Sequence, residues 1–557
     1  MKKVSMKIMS VVLVVALLFT GGTIGVSAAD VSSQSVVALQ EESVGDGIMK
    51  VLYNALNVVC EALVSTICKI YPNPKNWQKM SDYDSDEVGF MAGRENYQTE
   101  AGENNKWSLG YGSESIVPED IADEKYYIGR DLTVRIAKDV YDDNRIRVTA
   151  IDDNSGEGIV IIGAVDSLGV TSADVRQVRK AIIEYCAEKD IKVASINISA
   201  THSHSALDTQ GVATEFFKKL LGNFWANLVG SNAELPGFEA ATEFKEFFIA
   251  QSIEAVKEAV DNMEEGEMYF AEVDTSEYMK DKRKLIAKED LQKTAVLHFV
   301  PDAEGSNGTY IADISCHATS FSASHGYITG DYIYYLDKFI KEQTGDNTVM
   351  VAGALGQVSR VVEYSEEGMD PYTALGAESD ALGKAFGQLI IDAEYEALSP
   401  VLNATHKEIF IQPENSILVL ACEIKLVNNK VYYDGLLCKE FYMPSEIGYV
   451  EFGNKVAFAL FPGELYPEVF LGNDITGGVT WDGTEWQYDD LSDEVDGIKT
   501  YAVSLANDAL GYAVTDNNFA FMGHIIGEEI ADEVLSIGKH IASFYVSNYL
   551  EMIEEMK

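Results

Sequence analysis

Ile159-Val-Ile-Ile-Gly-Ala-Val165, Thr171-Ser-Ala-Asp-Val-Arg-Gln-Val178 and Lys192-Val-Ala-Ser-Ile-Asn-Ile-Ser199, read in succession, decide the fold. The first and third are rich in Val and Ile and read as strands. Between them Thr171 opens a helix, with Asp174 three residues on as the acid of a capping box. Val175, Val178, Ile182 and Cys186 fall on one face of that helix. Strand, helix, strand in this order implies a parallel pair in an α/β layer, with a functional loop at the carboxyl end of the second strand. That loop is Ala200-Thr-His-Ser-His-Ser205, which holds two of the chain's eight histidines. Extended backbone there would turn His202 and His204 to the same face. The spacing suits a metal such as zinc, which takes neutral imidazole nitrogens but draws further ligands from separate segments.

Working outward, the same pattern recurs. Upstream, Leu132–Ile136 and Arg145–Ile151 read as strands, and an acidic turn, Asp152-Asp-Asn-Ser-Gly-Glu157, leads into Ile159. Downstream, a helical stretch from Phe238 to Asp261 precedes a strand at Thr294–Val300. Tyr310–Ser315 runs into Cys316-His-Ala-Thr-Ser320, Val349–Ala352 into Gly353-Ala-Leu-Gly356, and Lys455–Leu460 into Phe461-Pro-Gly-Glu464. The expected fold class is therefore α/β, with mixed β-sheets flanked by helices and a metal site on loops at strand ends.

Residues 1–29 read as a secretory signal: Lys2, Lys3 and Lys7, an apolar core from Val11 to Phe19, then Val26-Ser-Ala-Ala29 before Asp30. This predicts a secreted or cell-surface protein. Residues 30–85 are expected to form an apolar helix and linker. Leu52, Leu56, Val59, Leu63 and Ile67 lie at helical spacing, which suits a docking helix or one lying on a membrane surface. Residues 86–557 form the expected catalytic domain. Six cysteines in so long a chain are too sparse for a disulfide scaffold. Against 42 Lys and Arg stand 89 Asp and Glu, a net charge of −47. That balance excludes nucleic acid, whose phosphates it would repel, and leaves peripheral membrane contact to apolar surface.

Together these segments resemble the neutral, non-lysosomal ceramidase family of zinc amidohydrolases, from about Gly110 to Tyr512. The matching segments are Ala200-Thr-His-Ser-His-Ser205, Cys316-His-Ala-Thr-Ser320, Phe461-Pro-Gly-Glu464, Asn507-Asp-Ala-Leu-Gly-Tyr512 and Val165-Asp-Ser-Leu-Gly169, in the family's order. The resemblance implies zinc ligation by His202, His317, Glu464 and Tyr512, with His204 off the metal and acting on substrate. It places Ser359 at a substrate-contact or nucleophile position and Arg283 as a substrate contact. It also implies a ceramide-like lipid or another N-acyl small molecule as substrate. Where the family carries G-D-V-S-P, this chain has Gly356-Gln-Val-Ser-Arg360, and the 45 residues after Tyr512 are too few for the family's immunoglobulin-like C-terminal domain.

Two imidazoles, a carboxylate and a phenolate around zinc leave room for a water whose pKa falls toward ~7. An unligated His204 would shuttle its proton, and Asp166, Asp208 and Asp313 are candidates to orient the rings. Ser359 is expected not to be a nucleophile, because the flanking acid and proline are absent. His298, His406 and His540 read as structural, and His325 and Asp331 as shaping the loop after His317. His524 lies where it could approach the site. Two other readings remain open: a zinc hydrolase of the same fold acting on a different amide or ester, and a non-catalytic surface protein.

Overall fold

Ile159–Val165 is buried at every position, as a strand covered on both faces requires. The computed structural model describes Ala62 and residues 65–69, 77–121, 126–129, 135–212, 239–321, 326–361, 371–423, 427–435, 439–472, 480–519 and 532–556. Within it this run belongs to the larger of the two main sheets. In chain order that sheet contains β1 (Trp107–Ser115), β2 (Arg145–Asp152), β3 (Ile159–Val165), β4 (Val193–Ala200), β5 (Glu264–Val273), β6 (Thr294–Pro301), β7 (Thr309–Ile314) and β8 (Asn347–Ala352). Their spatial order is β8-β7-β6-β5-β1-β2-β3-β4, with Glu396–Ala397 added on β5. β3 and β4 run parallel, as do β7 and β8, and the other neighbours are antiparallel. The second sheet orders β9 (Leu402–Ile411), β10 (Glu440–Phe452), β11 (Val456–Leu460) and β12 (Lys499–Val503) in sequence, with β11 and β12 parallel.

Side-chain alternation assigns each face a layer. Val160 and Ile162 of β3 join Phe299, Val351, Val450 and Phe458 in a core between the two sheets. Ile159 and Ile161 turn the other way, onto α1 (Ser172–Glu188) and α2 (Glu239–Asp261). Helices α3 (Tyr332–Thr344) and α4 (Pro371–Ile391) cover the β6–β8 end of the large sheet. On the outer face of the small sheet lie α5 (Ser416–Glu423) and α6 (Ile541–Met556). The mixed α/β expectation therefore holds, with helices flanking both sheets and no barrel among the described residues.

Several local expectations change. The Thr171 hydroxyl donates to the Asp174 carboxylate at 2.7 Å and makes no backbone cap; Asp508, distant in sequence, accepts from Ser172 N at 3.1 Å instead. Of the strand expected at Leu132–Ile136, only Arg135 and Ile136 are described, and Ile136 makes an isolated bridge to Tyr127. The signal and most of the N-terminal helix lie outside the described residues. Of that helix, Ser65–Lys69 is helical, with Cys68 buried and its thiol donating to Ser416 O at 3.2 Å. Cys68, Cys186, Cys316 and Cys422 are buried free thiols. No described helix is long and apolar enough to cross a membrane.

Helix α2 packs directly on the backbone of β1, and two glycines permit it. A Cβ at Gly110 would stand 2.0 Å from Ala259 O, and one at Gly112 would stand 2.1 Å from Ala255 O. Gly110→Ala is therefore expected to lower the unfolding free energy by about 1–3 kcal/mol, the usual cost of overpacking. Urea denaturation followed by circular dichroism measures it; an unchanged midpoint would show that α2 shifts without cost.

Candidate metal centre

The loops following β3, β4, β7, β11 and β12 meet at one end of the two sheets. Backbone bonds knit them: Ala200 N donates to Leu505 O at 3.3 Å, Asn507 N to Ile198 O at 2.9 Å, and Ser504 N to Ala352 O at 2.7 Å. Glu464–Leu465 and Tyr512–Ala513 form a short parallel pair, with Glu464 directly opposite Tyr512. His202, Gln357, Leu505 and Asn507 all adopt positive φ, between 53° and 61°. Non-glycine residues hold such conformations only where their surroundings impose them.

That convergence brings His202, His204, His317, Glu464 and Tyr512 together. His202 Nδ1 donates to Leu168 O at 2.8 Å and His317 Nδ1 to Val358 O at 2.9 Å. A carbonyl only accepts, so each Nδ1 carries a proton and each ring turns its Nε2 to the centre. Both Nε2 atoms face Glu464 Oε2, at 3.1 Å from His202 and 3.4 Å from His317. The Tyr512 hydroxyl reaches the same carboxylate. His204 packs its ring against both, with centroids 4.6 Å from His202 and 5.6 Å from His317. The ligand nitrogens of the three histidines lie within 4.8 Å of one another.

The electrostatics suit this cluster to a cation. Burial lowers the His317 pKa to about 4, so the ring stays neutral at physiological pH. Burial opposes ionisation of Glu464, but positive charge placed beside it, as on protonated His202 and His317, outweighs that and holds its carboxyl at about 2, so the carboxylate is built to face a cation. Burial pushes the Tyr512 hydroxyl well above its ordinary value. His202 Nε2 and Glu464 Oε2 are buried and make no hydrogen bond of good geometry. Lone pairs facing a carboxylate oxygen repel one another unless a cation sits among them. Two imidazoles, a carboxylate and a phenol form a donor set that zinc accepts.

The groups that orient the His202 and His317 rings are not the aspartates considered above. Backbone carbonyls take that role, while Asp166 pairs with Arg147 at 2.8 Å, Asp313 accepts from Gln292 Nε2 at 2.7 Å, and Asp208 accepts from Gln210 N and Gly211 N. Ser359 is buried, one residue beyond the carbonyl that fixes His317, in a ribbon of Val358–Arg360 against Met279–Asp281. Arg283 stacks on Tyr466 at 4.1 Å, with Glu468 bridged at 2.6 and 3.0 Å and Asp281 at 3.0 Å. His298 bonds Asp346, His406 bonds Ser195, and His540 bonds Glu414. Asp331, at φ 57°, caps α3. His325 and His524 lie outside the described residues.

Gln357, Tyr466 and Asp532 escaped the sequence reading. Gln357 Nε2 and Tyr466 Oη, the latter at 2.6 Å, both donate to Asp532 Oδ2. Burial, and then the Glu464 charge, raise the Asp532 pKa to about 7. No local motif marks Asp532, whose partner Gln357 is 175 residues away.

An apolar cavity of about 140 Å³ opens on the centre from the His202, His204 and Tyr512 side. Its walls include Ile417, Leu420, Val427, Met443, Leu510 and Leu535.

This arrangement of two mixed sheets is similar to the fold of the bacterial neutral ceramidases. A crystal structure of neutral ceramidase from Pseudomonas aeruginosa matches with a TM-score of 0.58 at 14% identity, covering 81% of this chain and 74% of that one. A ceramidase complexed with C2 matches with a TM-score of 0.57 at 13% identity, covering 81% and 75%. No family model and no curated protein matches the sequence.

Proposed function

We propose that this chain is an exported zinc-dependent amidohydrolase that cleaves the amide of ceramide-like N-acyl lipids. The observation that carries this reading is the continuity of the metal centre with the apolar cavity, since His202, His204, Glu464 and Tyr512 are themselves part of its wall. An acyl chain seated there leaves its amide at the centre and excludes bulk water from it. Zinc held by His202, His317, Glu464 and Tyr512 would supply a polarised carbonyl and an acidified water. His204 takes the proton of the attacking water and returns it to the departing amine. The ceramidase fold supports the reaction class, and the apolar core and small residues of 1–29 support export.

Metal analysis of the purified mature protein, paired with a fluorescent-ceramide assay, tests this. About one zinc per chain with ceramide turnover is expected. Zinc with turnover of other acyl substrates only would favour a different amide or ester. That second reading has its own support: where the family carries proline, Arg360 is tied to Glu378 and donates to Thr319 O at 2.8 Å. Absence of metal and turnover would leave a non-catalytic protein.

Ser359 serves in this reading as a substrate contact at most. Ser359→Ala is expected to cost about tenfold in kcat/KM, the worth of one hydrogen bond of about 1.4 kcal/mol. Trapping an acyl-enzyme on Ser359 by mass spectrometry would establish a covalent mechanism in its place.

A further inference from the structure

The centre has a second side, chemically unlike the cavity. On the His317 side stands the ribbon of Met279–Asp281 against Val358–Arg360, whose Val358 carbonyl fixes the His317 ring. Strand alternation buries Met279 and Asp281 and exposes Lys280, which pairs with Ser359. Just past the strand, Lys282 N donates to Gln357 O at 2.9 Å. Lys282 is exposed, yet its ammonium interacts with the charges of Asp532 and Glu464 and with His317. The protein crowded around this exposed ammonium lowers its pKa, as in a cleft rather than on an open face.

Acidic residues outnumber basic ones about two to one in this chain, so unpaired cations are unexpected. The arginines of this region follow the rule: Arg283 holds Asp281 and Glu468, and Arg360 holds Glu378. Among the described residues neither Lys280 nor Lys282 makes an ion pair. Salt screens the chain's overall negative field beyond about 8 Å, so the preference of the cleft is set by its own groups: the Lys282 ammonium, Asp532, whose carboxyl is raised to about 7, and Glu464, whose charge a bound metal would offset.

We propose that Lys282, flanked by Lys280, binds an anionic group on the amine side of the scissile amide. The preferred substrates are then N-acyl amino acids or N-acyl aminosulfonates, with the chain in the apolar cavity and the acid over the ribbon. This rests on the amidohydrolase reading, and its test is independent of turnover. The probes are ketomethylene isosteres of N-dodecanoylglycine and N-dodecanoylethanolamine, in which a methylene replaces the amide nitrogen so that neither can be cleaved. Calorimetry on the mature, zinc-containing protein is expected to show the acid binding about tenfold tighter than the alcohol, as a charge-assisted hydrogen bond provides. Lys282→Met loses that preference and Lys282→Arg keeps it. Equal affinity in the wild type, binding of neither probe, or a preference that survives Lys282→Met overturns the proposal. Hydrolysis of the parent amides is assayed in parallel; failure of both amides to react would remove the hydrolase reading while leaving a measured anion preference standing.

Discussion

His317→Ala is expected to empty the metal centre, taking zinc content from about one per chain to below a tenth and turnover down by more than ~10⁴-fold. The ring is buried, its Nδ1 is committed to Val358 O, and its Nε2 faces Glu464 Oε2 at 3.4 Å. His202, the other ring facing Glu464, is itself committed to Leu168 O and cannot take over without breaking that bond. Loss of His317 also leaves the buried Glu464 carboxylate one partner short, so a lower thermal midpoint should accompany the loss of metal. Metal analysis and circular dichroism on the same sample check both. Retention of one zinc per chain would mean that His204 completes the site in its place.

His204→Ala is expected to keep its zinc and lose ~10²–10⁴-fold in turnover, the usual worth of general acid–base catalysis. The two histidines of the loop separate because His202 takes φ 61°, breaking the extended geometry that would have aligned them. His202 then turns to Leu168 O. His204, with its backbone N–H on Ala318 O at 3.1 Å, presents a half-buried ring to the cavity. The decisive comparison sets metal content beside rate. A variant that loses zinc in proportion to activity would reverse the roles of the pair.

Much of the arrangement was legible in local pattern. The apolar run of β3 announced a strand, which the structure buries on both faces, and Val175, Val178, Ile182 and Cys186 announced the buried face of α1. β5 was not legible: its alternation of exposed Glu265 and Glu267 with buried Gly266 and Met268 is short and acidic, and reads as surface. Nor was the Asp508 cap of α1, because it reaches Ser172 across 336 residues.

Local order of residues determined that this is an α/β chain and that two imidazoles, a third and a carboxylate each follow a strand, since burial periodicity and turn chemistry are written over a few residues at a time. Tertiary structure alone decided which nitrogen of His202 and of His317 faces the centre, that backbone carbonyls and not aspartates orient those two rings, and that Arg283 is taken up by Glu468 while Lys282 makes no ion pair among the described residues. Those outcomes depend on hydrogen bonds and ion pairs between segments tens to hundreds of residues apart. Only the packing of the two sheets brings them within bonding distance.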